Sequence, residues 1–387
     1  MSQDLPPVAR PYYPPPPPRR SRVGLFFLWL FFILSIALNV LLCGGVLLLS
    51  GARGAEGVLP LNERYLSGTT NAADKVAVIR MDGAIMDGLL GFVHKQIDEA
   101  ASDNSVKAVV LHVNSPGGTI TGSDDLLERL IQLRDGTTPK YKGKSNPKPI
   151  VVSMGSVAAS GGYYISMAAA KDPNGPQKKI FAERTCITGS IGVYASLPNA
   201  KGLGDKIGLK MEMIKAGDIK GSGSLFHDMT PAERQPWQDM VASSYQQFIE
   251  VVETGRPELK GKLTENLFPP KEIPTYDDKG NVANANGATY TRKRADGGIF
   301  TAKEALENGL IDAIGRLDDS AAEAASQAKL VDYRVIRYEK PITIWGALAG
   351  EDTSASSELK ILSHIDLAPR LWYLMPSAEG AARVGAR

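Results

Sequence analysis

Residues 24–50, GLFFLWLFFILSIALNVLLCGGVLLLS, contain no acidic, basic or histidine side chain, and no other stretch constrains the chain as strongly. As a helix rising 1.5 Å per residue the run reaches roughly 40 Å, enough to cross a ~30 Å hydrocarbon core with tilt. It is expected to be a transmembrane anchor. Arg10, Arg19, Arg20 and Arg22 precede it against Asp4 alone, whereas Arg53 and Glu56 cancel behind it. The positive-inside bias therefore places the N-terminus in the cytoplasm and the bulk of the chain on the far side of the cell membrane. A cleaved signal peptide is the rival reading, with Ser50-Gly51-Ala52 as a small-residue cleavage site. Secretory apolar regions usually run about 7 to 15 residues, well short of this one. A lipoprotein reading of Cys43 fails because bulky Leu42 precedes it.

The rest divides by composition. Residues 1–23 form a proline- and arginine-rich tail with an extended PPPPP run, 51–74 read as a Gly/Ala/Asn/Thr linker, 75–340 as a globular domain with a polar insert at about 262–297, and 341–387 as a C-terminal extension. With 387 residues and 43% hydrophobic content the chain can bury a large core. Lys plus Arg (44) nearly balance Asp plus Glu (42), which argues against a nucleic-acid partner. Cys43 and Cys186 sit in unrelated contexts, and His94, His112, His227 and His364 show no metal-binding spacing. No metal or other cofactor is expected.

Within the domain, KVAVIRMDGAI, VKAVVLHVNS and KPIVVSMGS read as buried strands, and GFVHKQIDEAASD and DDLLERLIQLRD as amphipathic helices between them. This alternation predicts an α/β fold with a largely parallel sheet. GGYYISMAAAK reads as a helix starting just after Ser160, KIFAERTCITGSIGVYAS as further strands, TPAERQPWQDMVASSYQQFIEVVETGR as a long helix capped by Thr230, and TAKEALENGLIDAIG as a closing helix. No repeat spans the domain, so one catalytic unit is expected.

Two glycine turns end predicted strands: NSPGG at 114–118 and AASGG at 158–162. Ligands bind at that edge of parallel sheets. Backbone N–H groups of Gly117 or Gly118 and of Gly161 could face a developing oxyanion. Neither turn is followed by the G-K-[ST] of a phosphate loop. Ser160 is then a candidate nucleophile, but a serine hydroxyl needs a base. His112 lies mid-strand and His227 reads as a surface histidine. A lysine is the other option, once its pKa falls from ~10.4 to roughly 7 or 8. Spacing alone does not choose between Lys215 and Lys220.

The ordered set VNSPGG, MGSVAASGGYYIS, TGSIGV, IKAGDIKGSGS and TAKEALENGLIDAIG, behind an N-terminal anchor, resembles the signal peptide peptidase A family. These are membrane-bound serine proteases of the S49 class with a ClpP/crotonase-like fold. The resemblance covers about residues 75–335. It implies repeated β-β-α units and a Ser-Lys dyad, with Ser160 as nucleophile, Lys220 rather than Lys215 as general base, Ser190 holding the lysine, and Gly117, Gly118 and Gly161 supplying the oxyanion hole. It further implies hydrophobic peptide substrates, remnant signal peptides in the bilayer among them, and a homo-oligomer in which one subunit's serine meets its neighbour's lysine. The insert and the tail, which contains LAPRLWYLMPS, have no counterpart in that pattern. The tail is expected to pack on the domain. Competing readings are a related ClpP-like protease acting on another apolar membrane protein, a catalytically silent scaffold on the same fold, and crotonase-type acyl-CoA chemistry, which an extracytoplasmic location disfavours.

Overall fold

The computed structural model describes residues 22–55, 61–141, 145–170, 178–273, 275–276, 282–283, 289–340 and 370–374. The proline-rich tail and most of the C-terminal extension lie outside these. One 34-residue helix, α1 (Arg22–Ala55), covers the charge-free run, and its side chains from Phe26 to Leu42 are exposed. Among the described residues no helix is long and apolar enough to cross a membrane, the described side chains of α1 being those of Phe26–Leu42 and Gly44. Residues Met1–Leu59 form one unit and Pro60–Arg387 a second.

In chain order the second unit contains β1 (Asn62–Gly68), β2 (Lys75–Asp82), α2 (Gly91–Ser102), β3 (Val106–Ser115), β4 (Gly117–Thr119), α3 (Ile120–Asp135), β5 (Ile150–Ala159), α4 (Gly161–Ser166), β6 (Ile180–Ala182), β7 (Ile187–Gly189), β8 (Tyr194–Ser196) and α5 (Lys201–Ile207). It continues with α6 (Pro231–Gly255), β9 (Lys271–Glu272), β10 (Thr275–Tyr276), β11 (Val282–Ala283), β12 (Thr289–Tyr290), β13 (Ile299–Thr301), α7 (Ala302–Glu307), β14 (Ala313–Ile314), α8 (Leu317–Gln327), β15 (Arg334–Glu339) and β16 (Arg370–Leu374).

The main sheet runs β1-β15-β2-β3-β5-β6-β14, with β7 pairing both β5 and β13. Pairs along β15-β2-β3-β5-β6-β14 are parallel, as is β5–β7; β1–β15 and β7–β13 are antiparallel. The reason lies in the period-2 alternation of strands that are apolar on both faces. Ala77, Ile79 and Met81 of β2, with Val109, Leu111 and Val113 of β3, join the cluster that also contains Val93 and Ile97 of α2 and Leu126 and Leu130 of α3. Val76, Val78, Ala108 and Val110 join the opposite cluster with Ala321, Ala324 and Ala325 of α8. Each such buried Val, Ile or Leu contributes about 1.5–3 kcal/mol relative to exposure.

Two differences from the sequence reading have physical causes. Residues 62–68, inside the stretch read as linker, form β1, because Asn62–Gly68 finds an open edge on β15. TAKEALENGLIDAIG is not one helix. It stops at Glu307, turns at Gly309 with φ +75°, and Ala313–Ile314 joins β6 as a parallel edge strand. The polar insert holds two short antiparallel pairs, β9–β12 around β10–β11. The ββα order recurs along the chain, as at β1–β2–α2, β3–β4–α3 and β7–β8–α5. The long helix α6 begins as expected, with Thr230 and Glu233 completing a reciprocal capping box and Pro231 in the first turn.

Candidate active site

The two glycine turns meet at the carboxyl edge of the sheet. Ser115, at the end of β3, stands in register with Ala158 of β5, so the β3–β4 turn and the β5–α4 turn are neighbours. Gly161 shows how close they are: a Cβ there would lie 2.5 Å from Ser123 Oγ and 3.1 Å from both Gly117 Cα and Gly118 N. A Cβ on Gly118 would lie 1.7 Å from the Ile85 carbonyl oxygen. At Gly161 a side chain would push the two turns apart, and at Gly118 it would collide with the Ile85 backbone.

Ser160 sits at the junction of β5 and α4 with φ 54° and ψ −116°, a left-handed backbone that costs a non-glycine residue about 1–3 kcal/mol. Surrounding bonds impose it: the Ser160 N–H donates to Gly189 O at 2.8 Å, and Ser160 O accepts from the Tyr164 N–H at 2.8 Å. The side chain is 1% exposed and its Oγ has no hydrogen-bond partner among the described residues. A buried, unpartnered hydroxyl on a strained turn is uncommon in a site built only for packing. The Gly117 N–H is engaged with Ser115 Oγ at 3.1 Å. Of the two SPGG amides, that of Gly118 is the one beside Gly161.

Ser190 follows β7 directly and so extends the β5–β7 register, in which Ala159 faces Gly189, to a position next to Ser160. It too has φ 54°. Its N–H donates to Gly298 O at 2.8 Å and its hydroxyl to Gly297 O at 3.2 Å, so its partners come from the end of the insert rather than from a lysine. Tyr245 of α6 donates to Ala295 O and fixes the same return segment. Sequence reading missed this support, since a polar insert gives no local sign of folding back on a distant serine.

The basic candidates divide clearly. Lys220 is exposed in a turn, its N–H donating to Gly217 O at 3.2 Å. Lys215 donates to Asp218 O at 2.6 Å and to Glu233 Oε1 at 3.3 Å, which makes it a brace of the loop. His227 is 2.9 Å from the other Glu233 oxygen. The backbone N–H of Thr230, then His227, holds the Glu233 carboxyl at about 2. Ser222 donates to Glu233 O at 2.7 Å and accepts from Trp237 Nε1 at 2.8 Å. The loop bearing Lys220 is thus clamped from both sides onto the start of α6. His112 packs against Gly155 in the sheet, and burial lowers its pKa. Burial lowers the Lys148 pKa to about 8, but its ammonium donates to Asp103 O and Val106 O, at the amino end of β3 opposite the serine. Burial pushes the free Cys186 thiol up to about 12, which leaves it a poor nucleophile.

Residues 142–265, which include Ser160, Ser190 and Lys220, match the model of peptidase family S49. A Synechocystis sp. protein carrying a protease assignment is 31% identical over 277 residues, covering 70% of this chain and 83% of that one. The chain belongs to the S49 peptidase family. A signal peptide peptidase SppA assignment in Enterococcus faecium is 33% identical over 248 residues, 64% of this chain and 59% of that one. Protease 4 of Salmonella typhi is 31% identical over 276 residues, 70% of this chain but 37% of that one. The chain therefore spans about six-tenths and about four-tenths of the length of these last two relatives. Among solved structures, a point mutant of ClpP1 from Listeria monocytogenes aligns with a TM-score of 0.34 and 14% identity, over 63% of this chain and 94% of that one.

Within an S49 chain the glycine turns have a plain chemical meaning. They bring two backbone amides and a serine hydroxyl to one point at the sheet edge. No hydrogen bond links that serine to a basic side chain among the described residues. Ser160 and the backbones of Gly118 and Gly161 meet at one point of the sheet edge, and Lys220 lies exposed in a separate loop.

Proposed function

We propose that this S49 protein is a membrane-anchored serine endopeptidase that cuts hydrophobic peptides, remnant signal peptides in the bilayer among them. The observation that carries the reading is Ser160: strained, buried, unpartnered, and next to the Gly118 and Gly161 amides. Ser160 Oγ attacks the peptide carbonyl while neutral Lys220 takes the hydroxyl proton. The oxyanion is held by the N–H groups of Gly118 and Gly161. The amine leaves with the proton returned by Lys220, and water, deprotonated by the same amine, hydrolyses the acyl-serine. Ser190, next to the nucleophile, orients the lysine as it arrives.

Lys220 reaches the serine from a neighbouring copy in a homo-oligomer. Two features support this. Ser160 is buried without a base while Lys220 is exposed. The segment around the lysine also displays Leu203, Ile207, Leu209, Met211 and Ile214 to solvent, the last 95% exposed. An apolar stretch of this kind is an interface in search of a partner, and docking would desolvate Lys220 and lower its pKa toward that of a base. The 34-residue α1 with its exposed Phe, Leu and Ile side chains supports the anchor, and the arginines before it support an extracytoplasmic position of the catalytic unit.

The test is cleavage of a fluorogenic hydrophobic peptide by the detergent-solubilised full chain. Ser160→Ala and Lys220→Ala should each lower kcat at least about 10³-fold, whereas Lys215→Ala should retain turnover. Activity surviving Ser160→Ala would discard the mechanism, and activity surviving Lys220→Ala would discard the base.

A further inference from the structure

Three hydrogen bonds between two short stretches of backbone hold Ser190 in place. Its N–H donates to Gly298 O at 2.8 Å, its hydroxyl donates to Gly297 O at 3.2 Å, and the Gly297 N–H donates to Ile191 O at 3.0 Å. They continue the antiparallel β7–β13 pair, in which Gly189 faces Ile299, just beyond the strand ends. One carboxylate shapes the Gly297–Gly298 side of this clasp. Asp296 Oδ1 accepts from the Gly298 N–H at 2.8 Å and Oδ2 from the Lys293 N–H at 3.1 Å, while Arg292 Nε donates to Oδ2 at 2.6 Å and Nη2 to Oδ1 at 3.3 Å. Arg292 is anchored in its own right: Nη2 also donates to Ile299 O at 3.2 Å, and the guanidinium lies 4.5 Å from the centre of the Phe300 ring. A Cβ on Gly298 would lie 2.4 Å from Arg292 Nη2 and 2.9 Å from Asp296 Oδ1, so the ion pair closes directly over the turn. A forked Arg–carboxylate pair fixes direction as well as distance.

The direction of the Ser190 hydroxyl decides what it can do. A carbonyl oxygen only accepts, so the bond to Gly297 O uses the one proton the hydroxyl has, and toward any other group Ser190 Oγ offers lone pairs alone. A neutral lysine amine has two N–H groups and one lone pair. Against a hydroxyl already committed as a donor it can only donate, which leaves its lone pair for the Ser160 proton. If Gly297 O moved away, the freed Ser190 proton would bond that lone pair and compete with Ser160. A cavity of about 350 Å³ opens at this point, with Ser190, Tyr245, Asp296 and Gly297 in its walls.

We infer that Asp296, clamped by Arg292, is a positioning residue: it holds Gly297 O where that oxygen takes the Ser190 proton, and so makes Ser190 an acceptor that turns the lone pair of an incoming lysine amine toward Ser160. This rests on the peptidase reading above and deepens it. Asp296 acts through the backbone and through Ser190, without touching a reacting atom.

Two measurements on the detergent-solubilised full chain test this. The first needs no turnover: hydrogen–deuterium exchange of the peptide covering residues 187–193, read by mass spectrometry. Asp296→Ala frees the turn and should speed exchange of the Ser190 amide at least about tenfold, as loss of one backbone hydrogen bond would, while the amides of β3 keep their protection. Unchanged exchange over 187–193, or an equal loss of protection in β3, would overturn the inference. The second is a double-mutant cycle on cleavage of the fluorogenic peptide. Asp296→Ala and Ser190→Ala should each lower kcat about 10²-fold with KM within about twofold, and the double variant should fall no further than Ser190→Ala alone. Losses that multiply would mean that Asp296 does not act through Ser190. Asp296→Asn keeps an acceptor for the Gly298 N–H and should turn over at least about tenfold faster than Asp296→Ala; an Asn variant no faster than the Ala variant counts against the inference too. Where Asp296→Ala does not fold, Arg292→Lys, which keeps the charge and loses the fork, carries both measurements in its place with the same signs. If exchange changes as expected and the wild-type chain cuts no hydrophobic peptide, the clasp stands and the peptidase reading falls.

Discussion

Mixing two inactive variants decides whether the site is shared between chains. Ser160→Ala removes the proposed nucleophile and Lys220→Ala the proposed base, and each homogeneous preparation should lose at least about 10³-fold in kcat. The structure buries Ser160 without a base and leaves Lys220 exposed in its clamped loop. If the serine of one copy meets the lysine of the next around a closed ring, a site works when its serine comes from a Lys220→Ala chain and its lysine from a Ser160→Ala chain. With equal expression and random assembly each condition holds for about half the sites, so about one quarter of wild-type activity should return. The assay is co-expression under two affinity tags, sequential purification of mixed oligomers, and cleavage of the fluorogenic peptide. Mixed oligomers no more active than either parent would refute the shared site, because a dyad within one chain gives zero complementation in any mixture. A monomeric full chain that turns over at full rate would refute it as well.

Gly118→Ala forces a Cβ to within 1.7 Å of Ile85 O, so it should cost at least about 1–3 kcal/mol and abolish cleavage, whereas Gly202→Ala, with open space around it, should leave the melting temperature and rate unchanged. Arg256 and Asp312 form a buried pair at 3.0 Å with side-chain exposures of 1% and 5%, and Asp312 also accepts from the Lys179 and Ile180 N–H groups; Arg256→Met leaves the buried carboxylate without its cation and should destabilise by about 3–5 kcal/mol in a denaturant melt, and adding Asp312→Leu should not recover the loss, because it removes the acceptor of both N–H groups. Glu233→Gln removes a carboxyl held at about 2 against an ordinary 4.5, first by the Thr230 N–H and then by His227. Because the folded pKa is depressed, the stabilisation is fully present above about pH 4.5 and lost as pH falls toward 2. The melting-temperature gap between wild type and Glu233→Gln should be constant from neutral pH to about 4.5 and close below it.

The parts of this molecule that were legible in the sequence are those whose cause is local. Alternating valines in 75–82 and 106–115 gave strands apolar on both faces and hence a parallel sheet, and Thr230-Pro231 with Glu233 gave the start of α6. The glycine turns singled out Ser160 as a candidate because glycine at a strand end has few explanations once two such turns occur in order. What escaped depended on distant partners. Asn62–Gly68 looks like linker and becomes a strand only because β15, more than 260 residues later, offers an edge. Ser190 is held by carbonyls of the insert, and Lys215 and His227 find Glu233 only after the loop closes on α6.

That division also explains why one lysine survives as a candidate base. Sequence spacing left Lys215 and Lys220 equivalent, but folding commits the Lys215 ammonium to Asp218 O and the Glu233 carboxylate. Those two bonds occupy the Lys215 ammonium within its own loop and at the start of α6. Among the described residues the Lys220 ammonium has no such pairing. Gly221 and Ser222 behind it are fixed on the α6 cap, where a Gly221 Cβ would meet Met213 Sδ at 2.6 Å. Its backbone is positioned and its amine is left for an environment that a second copy can supply. An apolar surface on that copy is the kind of environment that disfavours the charged form of a lysine, and a neutral amine is what the transfer of a serine proton requires.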